Sequence, residues 1–188
     1  MKKLIFGLLT LLAVGSSMAL DLDLSDNPDI ASGAFDLDTQ YNGVSSFGNG
    51  NVAGIYQVNN DDADLVNKAE IQQVDGLNNL AMIWQSGFSN EAHIFQTEGE
   101  NNVARLLQIG SGHYAHLTQS GGIDNIMTVT MLGESAIINA TQLDAVSNVL
   151  SVVLNSGSNL NITQSGEGNT FSTVMAPNTS MVVRQTGQ

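Results

Sequence analysis

The chain has no cysteine, 2 prolines and only 5 lysines and arginines among 188 residues. Without cysteine no disulfide framework is available, so the fold must rest on burial and hydrogen bonding alone. The shortage of cations excludes partners whose phosphates demand Lys and Arg, namely nucleic acid and anionic membrane. Long apolar runs are also missing. The one candidate, Leu4 to Val14, is too short to span a bilayer. Glycine, asparagine, glutamine, serine and threonine abound instead, a composition that suits a compact helical domain poorly.

The amino terminus has the three parts of a secretory signal. Lys2 and Lys3 form a basic start, the apolar run follows, and Ser17-Met18-Ala19 has the form of a cleavage site. Residues 1–19 are therefore expected to be removed, leaving a chain that begins at Leu20. That chain carries Lys68, Arg105 and Arg184 against 18 acids, a formal charge of about −15.

Periodicity dominates the remainder. Gln73, Gln85, Gln96, Gln108, Gln119, Met131 and Gln142 follow one another in alternating steps of 12 and 11 residues, so two steps make a repeat of 23. A seven-residue block precedes each mark. Asn79-Leu-Ala81-Met-Ile83-Trp-Gln85 returns as Asn90-Glu-Ala92-His-Ile94-Phe-Gln96 and as Asn102-Val-Ala104-Arg-Leu106-Leu-Gln108. Inside a block the period is two, which is the period of a strand. Connectors such as Ser86-Gly87-Phe88-Ser89 and Ile109-Gly110-Ser111-Gly112 hold residues suited to tight turns. A meander has no reason to keep residue identity in register, whereas a solenoid does, because each block stacks on its equivalent. The expected fold is all-β: a two-strand-per-coil β-solenoid of 22–23-residue repeats over residues 51–188. Its strands should stack in parallel about 4.8 Å apart.

Residues 20–50 differ in kind and read as an acidic flexible leader. Asp21-x-Asp23-x-Ser25 approaches a calcium loop, but Asp26 stands where such a loop needs glycine and Ser32 where it needs glutamate. A first block, Asn51 to Gln57, is separated from the next by an acidic insertion, Asn59 to Leu65.

The inward row should contain Asn or Ser, then Ala, then an aliphatic residue, then Gln. Buried amides are costly unless bonded, and stacked identical amides solve this by bonding the side chains above and below. The expected structural amide ladder comprises Gln57, Gln73, Gln85, Gln96, Gln108, Gln119, Gln142, Gln164 and Gln185, with Asn79, Asn90, Asn102, Asn125 and Asn148. Later repeats are looser. Met127, Met131, Leu150, Leu154, Phe171 and Met175 take the small and amide positions of one strand row. Outward, one row projects an apolar wall of Leu80, Met82, Trp84, Val103, Leu107, Ile126, Val149 and Val153, continued by Val174. Such a face marks an interface; the other reading makes it one half of a two-layer core. The second outward row is polar, with Lys68, Glu70, Glu91, His93, His116, Asn139, Asn161 and Arg184. His93 and His116 should stack on one face but supply too few ligands for zinc or copper, so no metal or other cofactor is expected. Thr118, Thr141 and Thr163 form a short surface row of the kind found in ice-binding solenoids.

At this point a family resemblance emerges. Gln73-x2-Gly76-x2-Asn79-x-Ala81-x3-Gln85 and Gln96-x2-Gly99-x2-Asn102-x-Ala104-x3-Gln108 resemble the repeats of the curlin family, over roughly residues 51 to 187. The resemblance implies a structural subunit of extracellular curli-type amyloid fibres, not an enzyme, serving adhesion and biofilm matrix. Its implied partners are itself, other curli-type subunits, and an outer-membrane secretion pore with accessory factors, with no small-molecule substrate. Major subunits of the family carry a Gly/Asn/His-rich leader, and the acidic leader and loose later repeats here are more similar to the minor, nucleating type. The Met181-Val-Val-Arg-Gln185 ending is similar to the major one. Two rival readings fit the residues less well. A β-helix enzyme would need clustered acids or a motif such as G-x-S-x-G, and this chain lacks that motif. A monomeric ice-binding or adhesin solenoid would want long Thr rows and capped ends. The block from Thr179 to Gln185 carries one charge and no following cap is expected.

Overall fold

A computed structural model describes residues 42–46, 50–59 and 65–187, the first of these segments and Asn59 by backbone alone. The expected signal peptide, most of the leader and the centre of the acidic insertion lie outside the described residues. Thirteen strands are described: β1 (Asn42–Ser46), β2 (Val52–Asn59), β3 (Lys68–Val74), β4 (Leu80–Phe88), β5 (Glu91–Thr97), β6 (Val103–Ser111) and β7 (Tyr114–Ser120), then β8 (Ile126–Glu134), β9 (Ile137–Val146), β10 (Val149–Leu154), β11 (Asn159–Glu167), β12 (Thr170–Met175) and β13 (Ser180–Thr186). No helix occurs among the described residues.

Odd-numbered strands form one parallel sheet in the order β1-β3-β5-β7-β9-β11-β13, and even-numbered strands form the other in the order β12-β10-β8-β6-β4-β2. Each odd–even pair is one coil of a β-solenoid. Register follows residue identity. Ala81 pairs with Ala104, Ile83 with Leu106 and Gln85 with Gln108 between β4 and β6, and Ala92, Ile94 and Gln96 meet Ala115, Leu117 and Gln119 between β5 and β7. A one-residue slip would turn every inward side chain outward. The core is a column of Ala69, Ile71, Ala81, Ile83, Ala92, Ile94, Ala104, Leu106 and their successors as far as Leu160 and Ile162, each at most 2% exposed. Along β3 to β7 small alanine alternates with larger isoleucine or leucine on the inward side, from Ala69 and Ile71 to Ala115 and Leu117.

Two features depart from expectation. The long sheet begins with β1, in the stretch read as leader, and β1 stacks on β3 from Asn42↔Ala69 to Ser46↔Gln73. The segment shows no Asn-x-Ala-x-Ile-x-Gln pattern, and among the described residues β3 is its one neighbour. Second, connectors read as turns are themselves paired. β4 and β6 continue through Gly87↔Gly110 and Phe88↔Ser111, and on the opposite side isolated bridges join Leu77 to Glu100 and Glu100 to Ile123. Stacking identical connectors lets their backbones pair as strands do. The close approach requires glycine: a Cβ on Gly110, whose φ is +129°, would lie 1.7 Å from the Gly133 carbonyl oxygen. Spacing contracts near the end, as the shortened steps to Gln164 and Gln185 imply. Asn159 stands above Ile137 and Ser180 above Asn159, with a bulge at Ser165/Gly166.

Candidate functional site

The chemistry of this molecule lies in its stacked polar rows and in the two ends of the stack. On the seven-stranded sheet the glutamines make an unbroken chain. Nε2 of each donates to Oε1 of the next: Gln73 to Gln96 at 2.7 Å, Gln96 to Gln119 at 2.7 Å and Gln119 to Gln142 at 2.8 Å. The row continues from Gln142 to Gln164 at 2.9 Å and from Gln164 to Gln185 at 2.8 Å. The second hydrogens of Nε2 reach across the core to the other sheet. Gln73 donates to the Asn79 carbonyl at 3.1 Å and Gln119 to that of Asn125 at 3.3 Å. Each glutamine amide of this row is thus hydrogen-bonded and ties the two sheets together.

On the six-stranded sheet the chain of glutamines is short. Gln57 donates to Gln85 at 2.5 Å and Gln85 to Gln108 at 2.8 Å, and Gln108 then meets the Met131 sulfur at 3.5 Å. Beyond it the row is apolar, with Met131 and Leu154 fully buried and Met175 nearly so.

The asparagines combine the expected amide-on-amide stack, as in Asn125 Nδ2 to Asn102 Oδ1 at 2.9 Å and Asn90 Nδ2 to Asn67 Oδ1 at 3.0 Å, with bonds to the backbone. They sit at the corners where connectors enter strands, and each Oδ1 accepts the backbone N–H of its equivalent one coil on. Asn79 N–H donates to Asn51 at 2.9 Å, Asn102 to Asn79 at 2.9 Å, Asn125 to Asn102 at 3.0 Å and Asn148 to Asn125 at 3.0 Å. Asn169 closes the row on Asn148 at 2.7 Å. Nδ2 also reaches connector carbonyls, Asn79 that of Gly99 at 3.0 Å and Asn125 that of Ala145 at 2.7 Å. The corner backbone has no strand partner for these groups, so the side chain supplies one. Where the coil shortens this fails: Asn148 Nδ2 is buried without a hydrogen-bond partner among the described residues.

The corner row of the other sheet, to which Asn90 belongs, decays. Asn67 Oδ1 accepts Asn90 N–H at 3.0 Å, and Asn90 Oδ1 accepts His113 N–H at 3.1 Å. Ala136 and Ser158 follow. His113 escaped the sequence reading. It occupies the first position of an Asn90-like block and is 1% exposed, and the signal that could have found it is its place exactly one repeat after Asn90.

The apolar wall faces outward on the six-stranded sheet. Met82, Trp84 and Ile126 are exposed at 43%, 45% and 41%, while Leu80, Val103, Leu107, Val149 and Val153 are half-buried against one another. Leu80, Val103, Ile126 and Val149 form one column, and Trp84 stacks on Tyr56 with ring centres 4.7 Å apart. Arg105 interrupts the middle column between Met82 and Thr128. On the opposite outer face His93 bridges Glu70 at 3.2 Å and Glu91 at 3.0 Å. The His93 and His116 rings lie 6.0 Å apart. Burial, followed by the neighbouring His93, holds His116 below the usual imidazole range against the opposing pull of Glu70. Among the described residues no three His, Cys, Asp or Glu side chains converge as a metal site would require.

The ends of the stack carry unpaired strand edges among the described residues. Among the described residues β13 pairs only with β11, β12 only with β10, β1 only with β3 and β2 only with β4. The last coil is accordingly less covered, with Val174 69% and Val182 83% exposed.

Residues 76–104 match the family model of the curlin associated repeat. No curated protein and no solved structure matches the chain. The match spans the end of β3's coil and the start of the next, where the Gln and corner-Asn rows are both intact. It supports the curlin family, whose members are extracellular structural fibre subunits rather than enzymes, and hence a curli-type structural subunit.

Proposed function

We propose that this chain is a secreted subunit of bacterial cell-surface amyloid fibres that grows by edge-to-edge strand addition, in support of adhesion and biofilm matrix. The observation that carries the reading is the pairing of in-register parallel coils with strand edges that, among the described residues, are unpaired at both ends. Monomeric solenoids cover or charge such edges. Here β13 carries Arg184 as its one charge and leaves Met181 exposed. A second copy placed head to tail would continue both sheets, a heterologous contact that does not close. Secretion through an outer-membrane pore with accessory factors belongs to the same proposal.

Within the fibre we favour the minor, nucleating role, on the acidic leader and on the replacement of amides by Met131, Leu154 and Met175. The alternative, a major fibre-building subunit, draws support from the Met181 to Gln185 ending. Substituting Met181→Glu together with Val183→Glu charges the inward row of the last strand. The purified variant is expected to give no amyloid-dye signal under conditions where the unaltered chain does; equal fibre growth by both would overturn the edge mechanism. Adding traces of this chain to a major curli-type subunit separates the roles, since a nucleator shortens that subunit's lag.

A further inference from the structure

The buried imidazole of His113 is used by nothing in the assembly reading, and its position is specific. We propose that His113 is a neutral stand-in for a corner asparagine that locks the seam between the β7–β8 coil and the β9–β10 coil, and that it makes this seam acid-sensitive.

The hydrogen bonds define the substitution atom by atom. In the preceding coil Asn90 Oδ1 accepts the N–H of His113 at 3.1 Å, and Asn90 Nδ2 donates to the Gly110 carbonyl at 3.0 Å. In the next coil His113 Nδ1 stands 3.1 Å from the backbone N of Ala136. His113 Nε2 lies 3.3 Å from the Ile109 carbonyl oxygen. A backbone N–H can only donate and a carbonyl can only accept. Nδ1 must therefore be the bare acceptor and Nε2 must carry the hydrogen, so the ring is the neutral Nε2–H tautomer. Imidazole reproduces the acceptor and the donor of an asparagine amide in one side chain.

An imidazolium has no acceptor. Protonation at Nδ1 would set two N–H groups against each other in a site 1% exposed, removing the bond that docks Ala136. No side chain further along this corner could compensate, because the Ala136 side chain has no polar atom and the Ser158 hydroxyl donates backwards to the Asn155 carbonyl at 2.5 Å. The charged or titratable groups on the adjoining elements point elsewhere. Glu91 on β5 is turned outward to His93, Arg105 on β6 and Glu134 at the end of β8 are exposed, and Tyr114 and His116 face outward on β7. Burial holds the His113 ring below the usual imidazole range, and the carbonyls of Ile109 and Gly133 only partly offset it.

The sign follows. The unfolded chain takes up a proton on this imidazole as pH falls through about 6.5, while the folded ring resists. The folded state then binds fewer protons, so stability is constant above that range and declines as pH falls below it toward the lowered value of the buried ring. Once that value is passed the ring protonates in place and the seam loosens. The inference concerns the fold of one chain and holds whether or not fibres form.

The test is hydrogen exchange at the Ala136 amide, with the Asn125 and Asn148 amides as internal references, at about pH 7.5 and about pH 5.5. In the unaltered chain the Ala136 protection factor should fall by about tenfold relative to the references on acidification. His113→Asn should remove that fall while keeping protection at the higher pH, and His93→Asn with His116→Asn should leave it in place. Nitrogen-15 shifts of the imidazole in the unaltered chain at the higher pH should report the Nε2–H tautomer. An Nδ1–H tautomer, or an Ala136 response unchanged by His113→Asn, overturns the proposal.

Discussion

The two sheets of this solenoid solve one problem in opposite ways. The seven-stranded sheet keeps glutamine on the strand from Gln73 to Gln185 but lets its corner row run from Asn67 and Asn90 through His113 to Ala136 and Ser158. The six-stranded sheet keeps asparagine at the corner from Asn51 to Asn169 but gives up glutamine after Gln108 in favour of Met131, Leu154 and Met175. Each sheet therefore retains one unbroken polar row. Hydrogen-bonded rows are directional and define register, whereas apolar contacts of similar volume are tolerant of slippage. One directional row per sheet suffices to hold the coils in step, and the other row is free to become ordinary core.

That comparison can be tested by breaking a row in each sheet and by rebuilding one that has lapsed. The largest effect is expected from Gln119→Leu, in the middle of the unbroken glutamine row. It strands the Gln96 donor and the Gln142 acceptor and removes the tie to the Asn125 carbonyl. Two buried amides left short of partners should cost about 2–5 kcal/mol, read as a lower urea midpoint. Asn125→Ala comes next. It deprives the Asn148 N–H of its acceptor and the Ala145 carbonyl of a donor, a loss of about 1–3 kcal/mol that equilibrium unfolding would measure. Met131→Gln is the smallest change. It hands Gln108 an oxygen acceptor in place of sulfur but sets a new amide beneath Leu154, so stability should move by no more than about 1 kcal/mol in either direction. If Met131→Gln proved as damaging as Gln119→Leu, the claim that one row per sheet is enough would fail.

Much of this was legible in the residues. The 23-residue spacing dictates which side chains stack, and the period of two dictates which of them face inward, so Ala81, Ile83 and Gln85 could be placed before any coordinates. The register pairings of Gln73, Gln96 and Gln119 follow from the same count. Less was legible at the corners. A repeat says that Asn79 lies over Asn51 but not whether its amide meets another amide or a backbone N–H, because that depends on dihedrals outside the strands. Connector pairing was missed for the same reason: glycine-rich segments signal a turn locally, and only their stacking turns Gly87 and Gly110 into strand. β1 was missed because a lone terminal strand needs no motif when its partner β3 supplies the template.

By itself, then, the sequence determined the strand period, the stacking partner of each block and the composition of the interior, since those are counting relations along the chain. Tertiary structure alone decided what each polar atom bonds to. His113 shows the division most plainly. Its place in the count makes it the successor of Asn90, but only the positions of the Ala136 N–H and the Ile109 carbonyl, on either side of its ring, decide which nitrogen bears the proton.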